Sequence, residues 1–119
     1  MRVIERSIYL QQTAAEIGSG INLCFFDADH TAEATEKSLV SVRDCLADEF
    51  ILVVDDFAMI STEQGVRSAV RRLGWEVLHW QVQGRVETFD WYSPEGSKRL
   101  IGDPDWWFNY LLAVLRKPR

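Results

Sequence analysis

Two runs of strand length, INLCFFD (21–27) and FILVVDD (50–56), are apolar at consecutive positions and stop on carboxylates. A strand without polar alternation is buried on both faces, which is the pattern of parallel sheets in α/β proteins. Between the two runs, 32–47 reads as a helix: Leu39, Val42 and Leu46 fall at i, i+3 and i+7. Glu33 and Glu36 sit toward its N-terminal end, where the helix dipole favours acids. Strand, helix, strand in this order is a βαβ unit, and it fixes the fold class as α/β.

The pattern continues beyond it. Ser61-Thr62-Glu63-Gln64 has capping-box spacing, Val66, Ala69, Val70 and Leu73 mark one helix face, and Gly74 stands where a helix terminator belongs. Strands are expected at 75–82, at 85–92 after a Gln83-Gly84 turn, and at 108–116, with Pro94, Gly96, Gly102 and Pro104 breaking up the last connection. Upstream, 2–8 is weakly strand-like and 9–17 reads as a short helix closed by Gly18. No repeat or linker divides the chain, so residues 1–119 are expected to form a single α/β domain. Its predicted sheet is mostly parallel, with helices on both faces and an antiparallel C-terminal extension.

Composition excludes several classes. Of 119 residues, 47% are hydrophobic and 26% charged, a globular balance. A net charge of −5 argues against a nucleic-acid footprint. No apolar stretch is long enough to span a bilayer, and the N-terminus MRVIERSIYLQQ lacks a signal-peptide core. Cys24 and Cys45 are read as buried thiols of a cytoplasmic protein rather than a disulfide framework. Between positions 27 and 56 lie nine acids and only two bases, Lys37 and Arg43, an acidic centre that suits a cation site.

In parallel sheets ligands gather at the carboxyl ends of the strands. Both central strands end there in acids, Asp27 on one and Asp55-Asp56 on the other. Three adjacent carboxylates repel unless protonated or neutralised, and oxygen ligands of this kind suit magnesium, calcium or manganese. His30, three residues past Asp27, is placed to face the same pocket and to act as a general base near neutral pH. The competing reading has Asp27, Asp29 and Asp56 capping turns and His30 an ordinary loop residue.

FFDADHT, followed at strand-helix-strand distance by ILVVDDF and then EQGVRSAVRRLGWEV, resembles the second half of a class I S-adenosylmethionine-dependent methyltransferase. It is most similar to the metal-dependent small-molecule and sugar O-methyltransferases, which carry Asp-x-x-His after the fourth strand and an acidic pair after the fifth. Asp55 and Asp56 follow Asp27 by 28 and 29 residues, in keeping with that pattern, and FNYLLAVLRK is similar to the family's last strand. The resemblance spans about 21–119 and implies a truncated Rossmann-like methyltransferase fold. It further implies that Asp27, Asp55 and Asp56 hold a divalent cation, usually magnesium. His30 would take the proton of a hydroxylated acceptor as its oxygen attacks the sulfonium methyl group of S-adenosylmethionine.

The family's glycine-rich cofactor turn has no counterpart in the residues. Glu16-Ile17-Gly18-Ser19-Gly20 imitates it, but no buried strand precedes it, a strand rather than a helix follows, and Asn22 stands at the third glycine position. Gly18 and Gly20 are therefore read as a helix stop and loop, and the cofactor-binding residues are not identified. Loss of that half would leave the edge of INLCFFD open, to be filled by residues 2–8, by a missing N-terminal half, or by a second copy in a homo-oligomer.

Trp75, Trp80, Trp91, Trp106 and Trp107, beside Tyr92, Phe108 and Tyr110, read first as core and interface packing and second as the wall of an acceptor pocket. His79 reads as structural, and Arg71-Arg72 and the Arg116-Lys117-Pro118-Arg119 tail as solvated charge. A receiver domain would carry its acidic pair on the opening strand and a lysine at a later strand end. A P-loop enzyme would need a glycine-lysine loop that the chain lacks. The remaining alternative is a non-catalytic α/β module used for assembly or interaction.

Overall fold

The computed structural model describes residues 17–27, 31–84, 90, 93 and 109–119. In chain order the elements are β1 (Ile21–Phe26), α1 (Ala32–Val42), a 3-10 turn (Arg43–Cys45), β2 (Leu46–Asp55), α2 (Ile60–Leu73), β3 (Glu76–Gly84) and β4 (Asn109–Arg116). The strands form one mixed sheet in the order β1-β2-β4-β3. β1 and β2 pair in parallel, whereas β4 runs antiparallel to both β2 and β3.

The α/β class and the βαβ unit are as the sequence predicts. Three strands, β1, β2 and β3, point the same way, but β4 inserts between two of them. Only one of the three strand pairings is therefore parallel, which corrects the mostly parallel sheet. Parallel neighbours need a crossover element, and an antiparallel strand slots between β2 and β3 without one.

Helices on both faces are not found among the described residues: α1 and α2 pack against each other on the same face. Gly65 of α2 lies against Thr35 and Ala32 of α1, too close for a side chain. Beneath the helices the register brings Phe26 beside Val54, Val54 beside Leu111 and Leu52 beside Ala113. With Leu39, Phe50, Val66, Ala69 and Leu115 these form the buried core. The opposite face carries Leu23, Phe25 and Ile51, all exposed among the described residues.

Several boundaries move. The helix expected over 32–47 ends at Val42, because Leu46 pairs with Ile21 as the first residue of β2. Leu39 and Leu46 are both buried, so a strand residue imitates the helical period. Thr31 caps α1, its hydroxyl accepting from the Ala34 amide at 3.1 Å. The capping box at Ser61 is not the start of α2, which begins after Met59 with no side-chain cap. Its end is as expected: Gly74 is left-handed at φ 67°, its amide donates to Arg71 O, and the amide of buried Trp75 donates to Val70 O. That pair of bonds is a Schellman closure. The turn expected at Gln83-Gly84 is not there: both residues belong to β3, where Gln83 pairs with Tyr110 and Gly84, at φ 89°, pairs with Asn109. Gly18 and Gly20 also have positive φ, between helical Ile17 and β1, in keeping with a stop and loop. The expected strand at 2–8, most of the helix at 9–17 and all of the expected strand at 85–92 except Asp90, which is not in a strand, lie outside the described residues. No helix among the described residues is long and apolar enough to cross a membrane.

Candidate metal centre

Asp27 follows the last residue of β1, and Asp55 is the last of β2. Because Phe26 pairs with Val54 in parallel register, the next residue on each strand is an aspartate, and the two stand side by side. The chain then turns through Asp56, the only non-glycine residue with positive φ (52°) among the described residues, and enters α2 four residues later. Aspartate tolerates the left-handed region better than most residues, and the turn brings its carboxylate back over the strand ends.

One carboxylate oxygen from each of Asp27, Asp55 and Asp56 lies within 4.8 Å of the others. Asp27 is exposed and the other two are half-buried. Both helices start at this end of the sheet, α1 after β1 and α2 after β2, so their N-terminal dipoles favour negative charge there. Oxygens on one cation can be no further apart than twice the metal–oxygen distance, about 4.2 Å for magnesium and about 5 Å for calcium. Oxygens this close need only small side-chain rotations to meet on one hard divalent cation such as magnesium, calcium or manganese.

The sequence thus named three residues that the fold brings together. Asp29 and His30 lie outside the described residues, as do Trp91, Tyr92, Trp106, Trp107 and Phe108. The described tryptophans pack: Trp75 meets Phe50 edge-on at 4.9 Å and Trp80 meets Phe57 at 5.7 Å. His79 is exposed and faces Gln81 at 3.1 Å. Arg72 bridges to Glu36 at 3.4 Å, tying α2 to α1, and Arg116 reaches both Glu49 and Glu76. Burial pushes the Cys24 thiol up from its ordinary value, and neither Cys24 nor buried Cys45 forms a disulfide. Gly65 escaped the sequence reading, although a glycine inside a helical pattern is a signal of close packing. Neither protein-family profiles nor curated proteins give a match to this chain.

Proposed function

We propose that this chain carries the metal- and base-bearing part of a divalent-metal-dependent S-adenosylmethionine O-methyltransferase acting on a hydroxylated small molecule. The observation that carries the reading is the convergence of Asp27, Asp55 and Asp56 from two adjacent parallel strand ends. A cation held by these residues would bind acceptor hydroxyls and lower their pKa. Asp27, just past β1, and Asp55 and Asp56, at the end of β2, would be its ligands. His30, which in the sequence directly precedes the α1 N-cap Thr31, is the residue that the methyltransferase reading assigns to take the acceptor proton. The family's glycine-rich turn for the methyl donor has no match in this sequence, where Asn22 stands at the third glycine position.

A second reading is favoured by the open face of the sheet, where Leu23 is 57% and Phe25 64% exposed. On that reading the chain is a non-catalytic module whose apolar sheet face docks another protein or a second copy.

Isothermal titration separates the two. The methyltransferase reading expects magnesium or manganese binding that Asp27→Asn and Asp55→Asn each abolish, together with methyl transfer to a hydroxylated acceptor. Cation binding unchanged by either substitution removes the site. Cation binding without any uptake of S-adenosylmethionine removes autonomous methyl transfer and leaves the module.

A further inference from the structure

Asp56 holds a left-handed φ of 52°, a conformation that persists at a side-chain-bearing residue only where the surroundings over-determine it. The next residue shows what does so. Phe57 is buried in the core, 3% exposed, and meets the Trp80 ring edge-on at 5.7 Å with the planes at 70°. Trp80 belongs to β3, and the register runs from Leu52 on β2 through Ala113 on β4 to Trp80, so the three share the helix side of the sheet. The small side chain of Ala113, buried between the other two, leaves room for the indole. The Arg67 guanidinium carbon lies 4.8 Å from the Trp80 ring centroid, and Arg67 Nε donates to Glu63 at 3.0 Å. The Glu63 amide donates to Met59 O at 3.1 Å, and the Met59 amide donates to Asp56 O at 3.2 Å. From Asp56 the contacts run out through Phe57 and Trp80 and return through Arg67, Glu63 and Met59.

We propose that Trp80, acting through Phe57, is the positioning residue for Asp56. An edge-on aromatic contact is directional, so it fixes the orientation of Phe57 as well as its burial. With Phe57 seated, the Asp56 carboxylate stays over the end of β2 beside Asp55 and Asp27. A reversal of φ at Asp56 would redirect the chain that follows and draw Phe57 out of the core. Leucine at position 80 would fill part of the indole's volume but offer no aromatic ring to Phe57 and no platform to Arg67. The role rests on the metal reading for what the carboxylate is held to bind, whereas the hold itself is a property of the cation-free chain. Trp75 supplies a comparison, because it makes the same kind of contact with Phe50, at 4.9 Å and 76°, nearer the start of β2.

The test is NMR of the whole chain in chelator, where a left-handed φ gives Asp56 a strong cross-peak between its own Hα and amide protons. Wild type, Trp80→Phe and Trp75→Leu are expected to keep that cross-peak, and Trp80→Leu to lose most of it. Phe57→Leu, which keeps an apolar side chain in the seat, is the second variant and should behave like Trp80→Leu. Calorimetric titration with manganese should then give an affinity about tenfold weaker for Trp80→Leu and unchanged for Trp75→Leu. A folded Trp80→Leu or Phe57→Leu that keeps the cross-peak overturns the positioning role, as does an equal loss in Trp75→Leu. Manganese bound equally well by wild type and Trp80→Leu overturns it too. If the wild type takes up no manganese, the metal reading fails by itself, and the cross-peak still decides the role of Trp80.

Discussion

A side-chain carbon placed on Gly65 would stand 2.5 Å from Cβ of Thr35 and 2.6 Å from the Ala32 carbonyl oxygen. The two helices therefore cross at a point where only glycine fits. Helix propensity alone favours Gly65→Ala by about 1 kcal/mol, whereas overpacking a tight contact costs about 1 to 3 kcal/mol. The backbone carbonyl cannot swing aside as a side chain could, so overpacking wins. Gly65→Ala is expected to lower the urea midpoint with an unchanged slope. A raised midpoint would mean that α1 and α2 are free to separate.

The same helices set the strand ends that carry the aspartates, and the carboxylates there repel one another. At 4.8 Å each charged pair costs about 1 kcal/mol even in a water-like medium. In chelator, Asp55→Asn should therefore raise the melting temperature, because it removes repulsion. In millimolar magnesium or manganese the order should invert: the wild type gains stability by mass action and the variant does not. Melting curves that keep one order in both buffers contradict a cation at this site.

These aspartates were legible in the sequence because strand ends are read from the last apolar residue, and Phe26 and Val54 mark them without ambiguity. What places them within reach of each other is the parallel pairing of β1 with β2, which the helical pattern between them already implied. The end of α1 was less legible. Leu46 keeps the spacing of a helix face, and only its pairing with Ile21, a partner 25 residues away, commits it to β2. The position of β4 inside the sheet is likewise a long-range fact. The alternation of buried Leu111, Ala113 and Leu115 reports a half-buried strand and not which neighbours it chooses.

Cys24 gives a pH dependence with a definite sign. Burial raises its thiol pKa above 9.0, so the folded state holds that proton longer than the unfolded state does. Its contribution to stability is complete below the unfolded pKa and is lost as pH rises through the folded one. Urea midpoints of the wild type should fall between pH 8 and pH 10.5 more steeply than those of Cys24→Ala. Parallel pH profiles would show that the thiol reaches water in the native state.

Phe25 and Leu23 project from β1 on the face away from α1 and α2, and Ile51 continues that apolar surface onto β2. Among the described residues β1 is the end strand of the sheet, and an apolar face there invites pairing with another copy. Light scattering at micromolar concentration is expected to give a dimeric mass for the wild type and a monomeric mass for Phe25→Lys. Because Phe25 is 64% exposed, the substitution should leave the unfolding free energy within about 0.5 kcal/mol when both are compared as monomers. A monomeric wild type removes the homodimer. A dimeric Phe25→Lys moves the contact away from this face.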